Sequence, residues 1–336
     1  MDFHITNACN LRCIHCYAKA GKEVDEPLKN DEIFRILSEA KDFGISEVHL
    51  EGGEPLLRND LKEICLYAKK IGLVTTVCTN GTLLDRNLLD FFKRVQLDGL
   101  FFTVFSLDNK IHDGITQIRG SHEKTIRALK LSIGQGIRIG VFTPVCRKNL
   151  DGIRCLTEHL SSLGVHFHAY IHMSPVGRGS DIEDLILNAQ EWIDFTDLIM
   201  ESSGKYNLEM KLESFAVRRA DFKNAKNKRS KCKANDVCFL HVLASGEVYP
   251  CPLLIGNNEY LLGNLRISSF SSILEKLKGI NVSSEYCTRC DIFDACGGGC
   301  IAYREISKLS FDPRCKNGEY ILSCPTYISS FNNAGE

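Results

Sequence analysis

The stretch Phe3-His4-Ile5-Thr6-Asn7-Ala8-Cys9-Asn10-Leu11-Arg12-Cys13-Ile14-His15-Cys16 runs from a short strand pattern straight into three cysteines spaced CxxxCxxC. Iron–sulfur clusters are normally held by four cysteine thiolates. Three within one short run can hold three irons of a cubane and leave the fourth without a protein ligand. An open position is what a metal site keeps for a substrate or cofactor. A zinc site needs four ligands, often in CxxC pairs, and this run does not complete one. Disulfides need an oxidising compartment. The start, Met1-Asp2-Phe3-His4, has neither a basic n-region nor an apolar h-region. No stretch approaches the ~20 apolar residues of a membrane span.

Outward from this run, short apolar segments alternate with helical patterns, which argues for βα units on a parallel sheet. Strands are expected at Phe3–Thr6, Glu47–Leu50, Val74–Cys78, Leu100–Leu107, Ile137–Val145 and Val165–Met173. Helices are expected near Asp31–Phe43, Leu61–Ile71, Asp85–Arg94, Glu123–Gln135, Ile153–Leu163 and Ala189–Ser203. The fold class is therefore α/β: a partial (β/α)6 TIM-like barrel over residues 1–225, with an open side that something must cover. Functional loops of such barrels lie at the C-terminal ends of the strands, where the cysteine run falls. From about residue 230 the pattern becomes Cys, Gly and hairpin-like pieces, with a turn at Ser245-Gly246. Residues 226–336 read as a second, cysteine-rich domain that depends on metal to fold.

The chain has 336 residues, 44% of them hydrophobic and 25% charged, with a net charge of −1. This is a globular composition with no global field for nucleic acid, and no membrane partner is expected. One basic run, Arg218 to Lys233, reads as a solvated linker or as a docking strip for an acidic peptide.

Further loops follow the strands: Glu51-Gly52-Gly53-Glu54-Pro55, Cys78-Thr79-Asn80-Gly81, Ser106-Leu107-Asp108 and Arg119-Gly120-Ser121. With CxxxCxxC ahead of them, they resemble the radical S-adenosylmethionine (SAM) enzymes. That resemblance implies that Cys9, Cys13 and Cys16 hold a 4Fe–4S cluster whose open iron binds SAM. It implies SAM contacts from the Gly52, Gly53 and Glu54 stretch, from Thr79, Asn80, Ser106 and Asp108, from Arg119 to the SAM carboxylate, and from Tyr17 near the adenine. The fifth strand, Ile139-Gly140-Val141, matches its family motif poorly.

The C-terminal cysteines run Cys232, Cys238, Cys251, Cys287, Cys290, Cys296, Cys300, Cys315 and Cys324. Two structural zinc ions are the plain reading. Gly246-Glu247-Val248-Tyr249-Pro250-Cys251 and Cys296-Gly-Gly-Gly-Cys300 resemble the SPASM domain, which implies two auxiliary 4Fe–4S clusters and three clusters in all. By that resemblance the first takes Cys232, Cys238, Cys251 and Cys300. The second takes Cys287, Cys290, Cys296 and Cys315, with Cys324 as the alternative. Cys65, Cys78, Cys146 and Cys155 read as buried small hydrophobes, and this many thiols points to a reducing cytoplasm.

In the last strand His166, His168, Tyr170 and His172 alternate with Val165, Phe167, Ala169, Ile171 and Met173. With helices outside, the polar face is expected to point into the barrel, alongside His4, Thr6, His49 and Glu51, and to offer candidates for proton transfer. The resemblance implies reductive cleavage of SAM and hydrogen abstraction from a ribosomally made peptide or protein, ending in oxidation, crosslinking or epimerisation. A small-molecule or tetrapyrrole (haem-precursor) enzyme is the alternative, and a non-catalytic iron–sulfur or zinc scaffold a third reading. Expected partners are the substrate, an electron donor such as flavodoxin or ferredoxin, and a separate leader-peptide-binding protein, since the chain starts at the first barrel strand.

Overall fold

A computed structural model describes residues 1–202, 204–213, 216–218, 232–290, 293–318, 320–322 and 328–330. Most of the basic run and Cys324 lie outside the described residues.

Seven parallel strands form the barrel sheet: β1 (Asp2–Thr6), β2 (Glu47–Gly52), β3 (Val74–Thr79), β4 (Gly99–Thr103), β5 (Arg138–Val145), β6 (Phe167–His172) and β7 (Glu209–Glu213). Helices α1 (Asn30–Asp42), α2 (Leu61–Lys70), α3 (Arg86–Arg94), α4 (Asn109–Thr116), α5 (Ser121–Ser132), α6 (Ile153–Leu163) and α7 (Ala189–Glu201) follow the strands in turn. Strand residues of one parity, including Phe3, Ile5, Val48, Leu50, Leu100 and Phe102, join the helix residues Ile33, Leu37, Ile64 and Leu156 in the main apolar core. Residues of the other parity face the lumen. Helix ends are set by local chemistry: Asn188 accepts from the Glu191 N–H at 3.1 Å while Glu191 takes the Asn188 N–H at 2.7 Å, a capping box that starts α7.

The sheet continues past the barrel. A short strand β8 (Ala216–Arg218) pairs with β12 (Tyr320–Leu322) in a separate two-stranded sheet. The segment β9 (His241–Val242) lies parallel to β1, with Asp2 opposite His241. It turns at Gly246 (φ +87°) into β10 (Glu247–Tyr249), which pairs with β11 (Gly263–Asn264). At the other edge β13 (Ile328–Ser330) pairs with β7. The C-terminal third also carries α8 (Phe270–Lys278), α9 (Phe293–Cys296) and α10 (Ile301–Ser307). The Phe270 ring stacks on Phe43 at the end of α1, 5.4 Å between centroids. No described helix is long and apolar enough to cross a membrane.

The structure departs from the sequence expectations at several points. A seventh parallel strand, β7, follows the expected six, and α4 occupies part of what read as a loop. β4 stops at Thr103, which frees 104–108 to turn into the mouth. Cys155 is exposed, whereas Cys65 and Cys146 are buried as expected.

The largest correction concerns β6, whose polar face points outward. His168 bonds Thr157 on α6 (3.1 Å) and Thr143 on β5 (2.8 Å), and the Tyr170 hydroxyl bonds Thr157 (2.9 Å). His172 packs edge-on to Trp192 of α7 and donates to the Leu187 carbonyl at 2.9 Å. His166, just before the strand, accepts the Ile139 N–H through Nδ1. None of the four lines the lumen. Phe167 and Ala169 do, packed with Phe101 and Phe142. Gly140 makes this possible: it sits opposite Phe167, and a Cβ there would come within 2.0 Å of the ring.

Burial drives His168 down to about 3 and His172 down to about 4. Both lie below the ordinary histidine value of about 6.5, so the unfolded chain takes up protons first on acidification. The stability they contribute is present above about pH 6.5 and is lost as pH falls toward the folded values. At pH 5.5 each accounts for about 1.4 kcal/mol relative to pH 7.5. His168→Gln is therefore expected to narrow the drop in unfolding free energy between pH 7.5 and 5.5 by that amount. An unchanged drop would refute the neutral, buried assignment.

Candidate active site

Cys9, Cys13 and Cys16 follow β1 in one loop that is held from several sides. From α4, the Ile115 and Thr116 carbonyls accept the N–H groups of Ile14 and Arg12, both at 3.0 Å. From the loop after β2, Gly53 and Glu54 donate their N–H groups to the Thr6 and Ala8 carbonyls at 2.8 Å. From the loop after β3, Asn80 Nδ2 donates to Asn10 Oδ1 at 2.9 Å, and Asn10 Nδ2 donates to the Thr82 hydroxyl at 2.7 Å. From the loop after β6, Arg178 donates its backbone N–H to the Cys16 carbonyl (3.0 Å), Nε to the Cys13 carbonyl (2.8 Å) and a terminal nitrogen to the Ala20 carbonyl (2.9 Å). The loop geometry is thus fixed by backbone bonds, which leaves the thiols to serve as ligands.

Burial pushes the Cys13 thiol up to about 12, helped by the charges of Cys16 and Cys9. Cys9 is raised too, by burial first and then, against the Leu11 N–H, by Glu54 and Cys16. The three thiols therefore feel one another across one small space. Among the described residues, no three cysteine sulfurs come within 4.8 Å of one another. A single tetrahedral zinc, with Zn–S about 2.3 Å, would draw them closer than that. A wider, strongly cationic group that converts thiols to thiolates fits this donor set, and an iron–sulfur cluster is such a group. Phe105, Ile115 and Met173 pack with Ile14 and Cys13 into an apolar shell on one side of the loop.

The SAM-contact residues expected from sequence gather around this loop, in part with other tasks. Glu54 is buried, and its carboxylate accepts from the Thr79 hydroxyl (2.6 Å), the Asn80 N–H (2.8 Å) and the Leu56 N–H (3.1 Å). Burial pushes it up to about 7, against the pull of those donors. Glu54 is thus a clamp between two loops. Gly53 lies so close to the cysteine loop that a Cβ would stand 2.1 Å from the Ala8 carbonyl oxygen. Ser106 is buried and accepts the Asp108 N–H, while Asp108 caps α4 by accepting the Lys110 N–H at 2.7 Å. Arg119 stands exposed on the turn after α4. Tyr17 turns into the barrel, its hydroxyl 3.2 Å from both His4 Nε2 and Glu51 Oε1.

Sequence reasoning gave no role to His15 or Arg178. His15 lies between the second and third cysteines, edge-on to Phe105 at 5.1 Å, and burial with the Arg178 charge lowers it to about 4. The two glycines flanking Arg178 were the available signal. Arg178→Ala removes two charge-assisted bonds, worth about 3 kcal/mol of loop stability. Iron release from this loop to a chelator is expected to quicken about 100-fold, and Arg178→Lys should recover little of it because an ammonium lacks the planar fork. An unchanged release rate would sink the bracing role.

Of the C-terminal cysteines, Cys232, Cys251 and Cys300 are buried in one cluster with Tyr303 and Leu254. The Cys238 backbone lies in the 3₁₀ turn Val237–Phe239. Cys287, Cys290, Cys296 and Cys315 are half-buried, and Cys296 is raised by burial with smaller upward contributions from Asp312 and Cys287. Asp312 accepts the Cys300 N–H at 2.9 Å and pairs with Arg314 at 2.7 Å. Arg314 in turn lies 3.8 Å over the Tyr303 ring, and the Tyr303 hydroxyl donates to Ser174 in the loop that braces the cysteine run. The C-terminal cysteines and the barrel mouth are joined by this chain of contacts.

Residues 3–152 match the family model described as the Radical SAM superfamily, which makes this part of the chain a Radical SAM domain. Such a domain implies SAM and one 4Fe–4S cluster. The chain is 30% identical to the Fe-coproporphyrin III synthase of Methanosarcina barkeri over 206 residues, 60% of this chain and 51% of that protein, so it spans about half that relative's length. It is 26% identical to the antilisterial bacteriocin subtilosin biosynthesis protein AlbA of Bacillus subtilis, covering 88% of this chain and 66% of that one. Among solved structures, Streptococcus suis SuiB bound to precursor peptide SuiA superposes with a TM-score of 0.77 at 16% identity, over 94% of this chain and 75% of that one.

Proposed function

We propose that the chain modifies a ribosomally made peptide or protein by radical SAM chemistry. A cluster on Cys9, Cys13 and Cys16, fed one electron by a flavodoxin- or ferredoxin-like donor, would supply the reductive cleavage of SAM whose 5′-deoxyadenosyl product abstracts hydrogen from the substrate. The chain's own part is positional. Gly52 and Gly53 bring the β2 loop against the cysteine loop, Glu54 locks that loop to Thr79 and Asn80, and Phe105 with Met173 keeps water from one side of it. Cys232, Cys238, Cys251 and Cys300 are proposed to hold a first auxiliary cluster, and Cys287, Cys290, Cys296 and Cys315 a second.

The observation that carries the substrate class is the charge of the barrel interior. A tetrapyrrole precursor brings several carboxylates, which call for cations. Among the described lumen residues the wall includes Phe101, Phe142 and Phe167 on one side and His4, Glu51 and Tyr17 on the other. Arg138 and Lys211 sit over the Phe167 ring, each within 4.0 Å of Glu209. Arg178 is taken up by backbone carbonyls. This interior suits an uncharged peptide side chain. The similarity to a coproporphyrin synthase favours the second reading, a tetrapyrrole substrate.

The test is anaerobic turnover of reconstituted protein with SAM and reductant. It is run against a short peptide encoded beside the gene and against iron coproporphyrin. Peptide-dependent deoxyadenosine with a matching mass change in the peptide supports the proposal. Turnover with the porphyrin alone overturns it.

A further inference from the structure

Inside the barrel, His4 on β1, Glu51 on β2 and His241 on β9 converge. Each offers one ligand atom, and the three atoms lie within 4.8 Å of one another. His4 Nε2 is 3.0 Å from Glu51 Oε1, about the separation of adjacent ligands around a first-row transition ion. Two imidazoles and one carboxylate form a donor set that zinc and iron(II) accept, with positions left open.

His241 supplies the independent observation. It is 3% exposed, and neither of its ring nitrogens has a hydrogen-bond partner. Asp2 Oδ2 stands 3.4 Å from its Nε2 without hydrogen-bond geometry. A buried polar atom left unsatisfied is destabilising, and a bound cation removes that penalty at the ligating nitrogen.

We propose that His4, Glu51 and His241 bind a divalent transition-metal ion in the barrel, distinct from the cysteine-held clusters, with the Tyr17 hydroxyl beside it. The ion needs both halves of the chain, because His241 reaches the site only when β9 docks along β1. It would offer a Lewis acid to a carbonyl of the substrate.

The test uses the reconstituted protein, desalted through EDTA to strip loosely held iron, given one equivalent of zinc and passed through gel filtration. About one zinc per chain is expected to remain. Its X-ray absorption should show nitrogen and oxygen ligands at about 2.0–2.1 Å with imidazole outer scattering. His241→Ala and the isosteric Glu51→Gln should each weaken zinc binding at least tenfold while cluster iron and sulfide stay unchanged. Zinc that washes off the wild-type protein overturns the site. So does sulfur scattering at about 2.3 Å, which would show capture by cysteines, or retention unaffected by Glu51→Gln in a protein with wild-type melting.

Discussion

Replacing Cys9, Cys13 and Cys16 together by alanine is expected to bring deoxyadenosine formation down to the level of SAM in buffer and to lower the iron content by about four per chain. The effect should be confined to the ligands. The loop is held by backbone groups of Arg12, Ile14, Gly53, Glu54 and Arg178 and by the Asn10–Asn80 pair. A thiol takes part through the weak 3.4 Å contact from the Leu11 N–H to Cys9 Sγ. The melting temperature of the metal-free variant should therefore match that of metal-free wild type. Deoxyadenosine formation persisting in the triple variant would place the SAM site elsewhere in the chain.

Gly53→Ala attacks the same site without touching a ligand. The new methyl would meet Ala8 O at 2.1 Å, Ala8 C at 2.6 Å and Asn7 C at 2.8 Å, all backbone atoms that cannot rotate away. Relief requires pushing the β2 loop off the cysteine loop, which breaks the bonds from Gly53 to Thr6 and from Glu54 to Ala8. Overpacking of about 1–3 kcal/mol plus two lost backbone bonds at about 1 kcal/mol each gives a loss of about 3–5 kcal/mol. The variant should bind iron poorly at this loop and make little deoxyadenosine. Gly114→Ala is the control: it lies in α4, a Cβ there meets nothing within 4 Å, and it should be neutral or slightly stabilising. Equal behaviour of the two variants would show that close approach is not what Gly53 is for.

Element order and the place of the cysteine loop were legible because both rest on periodicity and spacing. The helix expected at Ile153–Leu163 has those bounds in the structure. Roles within the site were less legible. Glu54, Ser106 and Asp108 sit where expected, yet their polar atoms are spent on Thr79, on a neighbouring N–H and on the start of α4. A motif identifies position; which partner a carboxylate finds depends on the loops folded against it. The β6 face departs from expectation because polarity on a strand does not by itself mean lumen. Thr157 and Trp192, which satisfy and cover His168 and His172, are far off in sequence, while three phenylalanines fill the space those histidines were expected to line. Gly140, set down as a poor motif match, was the residue that could have told the two apart. β7 escaped notice because only Met210 and Leu212 in it face the core.

The pairing of β9 with β1 bears on how the protein is made. Asp2 and Phe3 leave the ribosome before their edge partners His241 and Val242, which come nearly the whole barrel later. At about 5–20 residues per second, the first strand waits on the order of tens of seconds with one rim unpaired. An open strand rim invites pairing with other nascent chains. A fragment ending near residue 225 would keep that rim open permanently, so barrel-only expression should yield aggregates, and supplying residues from 232 onward in trans should rescue soluble material.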